Sequence, residues 1–272
     1  MLKTVSIPAD KLTEQSVSLQ HPDEQPYTAR LAGAASLRHE LESLLIVAPP
    51  TASTSTLREL VLRSNVVGKK SASATLLVWE RLKVRYILDP QVREYRAFIA
   101  TINAAGGPED RGLVCFLMLA RTDRLFREVT LECVSPYLQQ EGIIIEPMTV
   151  HAAIQTRLDR SGLRWSTSTL ARARSHLLAA LKDVGVLHGS RKKSTKIPRI
   201  DPTVVLFALR LGRLEGLTDR QLIDSVWFQL LGVERERVLD LLYSAARAGT
   251  LGFRMQADVV EIDLPPLKEG MI

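Results

Sequence analysis

Lysine and arginine side chains gathered in one stretch do one kind of chemistry, the neutralisation of phosphate. Between Arg157 and Arg199 the chain carries eleven of them (Arg157, Arg160, Arg164, Arg172, Arg174, Lys182, Arg191, Lys192, Lys193, Lys196, Arg199), opposed only by Asp159 and Asp183. The stretch is therefore +9, whereas the whole chain is +6. A polyphosphate backbone releases condensed counterions to such a surface, so duplex nucleic acid is the partner this chemistry points to. The competing reading is a solvated basic face beside a loop, because charge runs are often only surface.

No grouping of comparable density supports catalysis. The five histidines, His21, His39, His151, His176 and His188, are scattered, and no HExxH, GxSxG, GxGxxG or paired-cysteine spacing occurs. No local cluster of carboxylates with lysine suggests a metal-dependent nuclease. The expectation is a protein that is not an enzyme and needs no metal and no cofactor. Gly68-Lys69-Lys70-Ser71 has the end of a phosphate loop, yet Arg63 stands where the first glycine of GxxxxGK[ST] would fall. Lys69, Lys70 and Ser71 instead offer two ammonium groups and a helix start to an anion, or form an ordinary exposed turn. The two cysteines, Cys115 and Cys133, lie in apolar helical surroundings, which fits buried thiols in a reducing cytoplasm.

The elements that must position the basic stretch can be read from caps and periodicity. Ser166 to Thr169 can cap a helix that Gly185 ends after Val184. On it Leu177, Leu181 and Val184 fall within about 40° of Leu170 and face a core, while Arg172 and Ser175 point the other way. Arg174 falls inside the apolar stripe and must snorkel out or meet a carboxylate such as Asp159. Val186-Leu187, the polar run HGSRKKSTK and Ile197 to Ile200 then suggest a basic hairpin. Helix followed by basic hairpin is the outline of a winged helix, with the helix in the major groove and the wing along phosphates. The expected DNA-binding residues are Lys69, Lys70, Ser71, Arg164, Ser166, Ser168, Thr169, Arg172, Arg191, Lys192, Lys193, Lys196 and Arg199.

Elsewhere the pattern is helical. Residues 1–26 read as a flexible arm, and residues 27–147 as a helical domain. In that domain a helix running from Tyr27 to the Pro49-Pro50 break is followed by a helix-turn-helix spacing around Gly68. Glu94 to Asn103 and Leu113 to Leu138 read as two further helices, separated by the loop GGPEDRG, the second buried and central. Residues 148–200 form the basic unit. Residues 201–272 repeat the winged-helix outline, with a Thr218/Gln221 capping box and two short β-like runs, but from Ile200 onward eight bases face eleven acids. The fold expected is mostly α, a multi-helix two-lobed protein with helix-turn-helix or winged-helix-like units and short β-hairpins. The longest apolar run, Leu113 to Ala120, is too short to span a bilayer, so no membrane is expected.

Several short motifs, in this order and spacing, resemble the BrxA family of bacteriophage exclusion (BREX) systems. They are Asn65-x-x-Gly68-Lys69-x-Ser71 and Arg85-Tyr86 within Leu62 to Tyr86, Asp123 and Phe126 in a helix, and Trp165-Ser166-x-Ser168-Thr169 leading to Leu178, Leu181 and Gly185-Val186-Leu187. The resemblance spans Tyr27 to Leu264. It implies a mostly α-helical, non-enzymatic protein that binds double-stranded DNA and acts beside other BREX proteins, among them methyltransferase, ATPase and phosphatase-like members. Two other readings stay open on the residues: an adaptor whose basic segment docks on an acidic protein, and an RNA-binding helical protein. Oligomeric state is not encoded in any of these signals.

Overall fold

Good helix formers punctuated by Ser, Asp, Gly and Pro produce a succession of helices rather than sheets. The computed structural model describes residues 21–49, 51–257 and 259–267. In chain order they form α1 (Arg30–Gly33), α2 (Arg38–Val47), α3 (Thr54–Leu62), α4 (Ala72–Arg85), α5 (Arg93–Ala104), α6 (Pro108–Thr122), α7 (Arg124–Cys133), α8 (Pro147–Arg160) and α9 (Thr167–Asp183). The hairpin β1 (Leu187–His188) and β2 (Ser194–Thr195) follows. The chain continues with α10 (Pro202–Leu214), α11 (Asp219–Ile223), α12 (Val226–Leu230), α13 (Arg235–Arg247) and a second hairpin, β3 (Gly252–Gln256) and β4 (Val259–Asp263). The fold is mostly α, with both sheets two-stranded and antiparallel among the described residues.

Two long helices expected from the sequence are each broken, and tertiary contacts explain why. Between Tyr27 and Val47 the chain leaves helix after Gly33 and re-enters it after Leu37, whose φ is +57°. The buried Arg85 guanidinium holds the break open, since its Nη2 donates to the carbonyls of Ala34 at 2.6 Å and Arg30 at 3.1 Å. Leu113 to Leu138 likewise splits at Asp123, which is extended and caps α7 by accepting from the Phe126 amide at 3.0 Å. The loop expected over GGPEDRG is shorter than it looked, because Pro108 already opens α6 in the first helical position.

The core is a continuous apolar cluster running from Leu31 to Ile262. At its centre α6 is buried from Gly112 to Thr122. The side chain of Arg121 on it meets Glu94 of α5 at 2.7 Å, both fully enclosed. The helix α10 packs on α5, α6 and α13, and so joins the last quarter of the chain to the rest. Most of the expected arm, residues 1–20, lies outside the described residues. Its end, residues 21–26, is tied down rather than free: Arg127 pairs with Asp23 at 2.5 Å, and Gln25 Nε2 donates to the Arg121 carbonyl at 3.1 Å. Among the described residues no helix is long and apolar enough to cross a membrane.

Candidate nucleic-acid interface

The basic stretch is built on two helices and a small sheet. Glu146 precedes α8, Pro147 takes its first turn, and Ser166 caps α9 by accepting from the Thr169 amide at 3.2 Å. Leu170, Leu177, Leu181 and Val184 are all buried, as the stripe requires, and Gly185 turns the chain out with φ +84°. Leu187 then pairs with Thr195 and His188 with Ser194. A third segment, which its sequence marks as a connection or a short strand, flanks β2: Ile144 bridges Ser194, the Ile145 amide donates to the Lys193 carbonyl at 2.8 Å and the Thr195 amide to Ile143 at 2.9 Å. The order is thus strand segment, α8, α9, hairpin. Its β-branched IIIE run was the only sequence signal for the third segment.

Helix α9 is pinned at its middle and at its C-terminal end. Near its middle His176 Nδ1 lies 2.8 Å from the Leu31 carbonyl of α1. At its C-terminal end Asp183 Oδ2 accepts from Ser36 at 2.9 Å, and its carbonyl accepts from Arg38 Nη1 at 3.1 Å. Arg38 also donates to the Pro108 carbonyl at 2.5 Å. A β-carbon on Gly112 of α6 would stand 2.5 Å from the Val184 carbonyl, so only glycine allows the two helices to approach there.

The cations fall into two groups. Arg164, Arg172, Arg191 and Lys192 are exposed and have no carboxylate partner among the described residues, and Arg199 is exposed without an ion pair but feels the carboxylates of Glu109 and Asp110. Lys196 instead meets Glu109 of α6 at 2.5 Å, a hydrogen bond that draws the Glu109 carboxyl below the usual glutamate range. Lys193 folds back onto its own wing, donating to the carbonyls of Gly189 at 3.1 Å and of Ser190. Arg174 snorkels toward Met148, with Nη1 3.7 Å from its sulfur, while Asp159 accepts from Gln155 instead. Arg157 is taken by Glu128 and Glu132. Ser166 spends its hydroxyl on the cap and on Ser168 and Thr169, at 3.0 and 2.9 Å; Ser166 and Ser168 are exposed and Thr169 is half-buried.

No hydrogen bond or ion pair among the described residues joins the Lys69 to Ser71 turn to this surface. Ser71 caps α4 by accepting from Ala74 at 3.2 Å, Lys70 is exposed, and Lys69 is held by Glu40 at 2.7 Å. Its ammonium charge is thus offset within the protein. The opposite end of α4 is the one near the basic unit: Arg81, which the sequence did not single out, feels the charge of Arg172. That proximity exists only in three dimensions.

Burial pushes the Cys115 thiol up to about 12 and the Cys133 thiol to about 11, so both are neutral at physiological pH. Among the described residues no group of His, Cys, Asp and Glu could hold a metal ion.

A model of the BrxA family matches residues 25–211. The chain belongs to the BrxA family. The match takes in every helix from α1 to α9 and the first wing, and stops at Leu211 inside α10. The resemblance read from the motifs ran on to Leu264, so its last part lies beyond the family match. Membership suggests a component of a BREX phage-defence system with other BREX proteins as partners. No curated protein matches the chain.

Proposed function

We propose that the protein is a non-catalytic, cytoplasmic binder of double-stranded DNA in a BREX system, gripping the phosphate backbone without a cofactor. The observation that carries this reading is the set of exposed cations left unpaired on the unit from α8 to β2: Arg172 on the outer face of α9, Arg164 before it, and Arg191 and Lys192 in the wing, with Arg199 exposed after it. Helix α9 is about 25 Å long at 1.5 Å per residue and presents small side chains, Ser168, Ala171 and Ser175, beside Arg172, which suits entry into a groove about 12 Å wide. Backbone contacts of this kind position a protein and carry no sequence information, so binding is tolerant of sequence.

Binding of purified protein to duplex DNA, single-stranded DNA and RNA across a salt series tests it. The expected result is tightest binding to duplex, with log K falling against log salt at about 0.9 per phosphate neutralised. A slope near zero, or preference for RNA, sinks the reading. Metal-dependent nicking abolished by one Asp or Glu substitution would show an active site.

A second reading concerns the last unit alone. Its surface is acidic and exposes Tyr243, Met255 and Val259 near its hairpin, which favours a protein partner over DNA there.

A further inference from the structure

Arg81 lies on α4, outside the unit from α8 to β2, and its head group rests against α1. Its Nε and Nη2 stand 3.3 and 3.4 Å from the position a β-carbon would take on Gly33, so the guanidinium rests against the bare backbone at the end of α1. A larger residue at Gly33 would push it away. The short helix α1 in turn packs on α9, where Arg172 faces solvent. His176, one turn beyond Arg172 on α9, meets the Leu31 carbonyl of this same α1 at 2.8 Å, which brings Arg172 and Arg81 to the two sides of one short helix; after burial, the charge of Arg172 is what lowers the pKa of Arg81. Neither makes an ion pair with a carboxylate among the described residues.

Two cations held together on fixed elements with no acid between them raise the free energy of the unliganded protein. An anion placed between them reverses the sign. Each guanidinium presents a planar fork of N–H donors that matches the oxygens of a phosphate, which a lysine ammonium does not. We propose that Arg81 and Arg172 together clamp one backbone phosphate of duplex DNA, so that the interface crosses from the winged helix onto α4. This rests on the duplex-binding reading above. It adds a contact from an element that carries no wing or reading helix, and it fixes how the duplex lies: the strand that flanks α9 must pass over α1.

The test uses the full chain, a mixed-sequence duplex, and the variants Arg81→Gln, Arg172→Gln, the double variant and Arg81→Lys, each titrated by fluorescence anisotropy over a salt series. Each single Gln variant is expected to bind about tenfold more weakly and to lose up to about 0.9 from the salt slope, the share of one phosphate. Because both groups hold the same phosphate, the double variant should lose little more than either single one. Arg81→Lys should keep most of the slope and lose part of the affinity. Melting the free protein in low salt gives a readout without DNA: Arg81→Gln, relieved of repulsion, should melt higher than wild type, and the gain should vanish in high salt.

If wild type binds duplex and Arg81→Gln keeps its affinity and slope, the clamp is wrong while the winged helix stands. If the two losses add fully, the residues hold separate phosphates and the shared clamp is likewise wrong. If wild type fails to bind duplex at all, the functional reading falls and the clamp with it.

Discussion

The unit from α8 to β2 and the unit from α10 to β4 are built on the same outline of helices followed by a two-stranded wing, and they differ in what their surfaces do with charge. On α9 the outward cation Arg172 has no acid beside it. On α13, which holds the corresponding place, Arg237 faces Asp240 at 3.5 Å and Arg235 is paired with Asp224. The first wing leaves Arg191 and Lys192 unpaired, whereas in the second Arg254 is set directly across the ladder from Glu261. Caps, apolar stripes and glycine stops make the scaffold in both. What differs is the charge left unneutralised on the outside, and the proposed difference in partner rests on it.

That contrast can be broken most forcefully through the core. Leu181→Asp in α9 and Leu242→Asp in α13 each bury a carboxylate at a fully enclosed site, and each should cost several kcal/mol and lower the thermal midpoint sharply. Because one apolar cluster joins the units, circular dichroism should show a single transition in both variants. Whatever Leu242→Asp protein remains folded should keep the wild-type salt slope. Two separate melting transitions would mean that the units are independent.

Exchanging the wings' charges is the next largest test. Arg191→Ala with Lys192→Ala should lower the salt slope by up to about 1.8, two phosphates' worth, while Arg254→Ala on the second wing leaves it unchanged. Equal losses would erase the distinction between the units. Lys193→Ala with Lys196→Ala should cost less than the first pair, because one ammonium is spent on wing carbonyls and the other on Glu109.

The smallest effect is a gain. Glu109→Gln releases Lys196 and should tighten duplex binding by about two- to threefold, within the range of one exposed ion pair. The Glu109 carboxyl is held below its ordinary range, so its contribution is complete above that range and is lost only as pH falls through the lowered value. The difference between variant and wild type should therefore be flat from about pH 6 to 8, and a difference that changes with pH there would point to another group.

Helix α9 was legible residue by residue, because its information is local: a Ser cap, an apolar stripe and a glycine at positive φ. The breaks at Leu37 and Asp123 were not, because they are held by Arg85, whose side chain caps carbonyls some fifty residues earlier and whose own carbonyl accepts from Thr122 at 3.0 Å. No periodicity reports such contacts. The same limit governs the basic stretch. Its charge could be counted from the sequence, but which cations are spent internally depends on Glu109, Glu128 and Glu132, carboxylates that fold against it from α6 and α7.

The fastening of α9 at Leu31, Ser36, Arg38 and Gly112 carries a mechanical consequence. A helix moored to three neighbours has little conformational freedom left to surrender on association, and equally little capacity to adjust its tilt to a mismatched groove. In the duplex complex proposed above, the compliant member is the DNA. Steps that roll and unstack easily, TA and CA/TG, then become cheaper to seat than stiff A-tracts, and a preference arises from the elasticity of the DNA at positions no side chain touches.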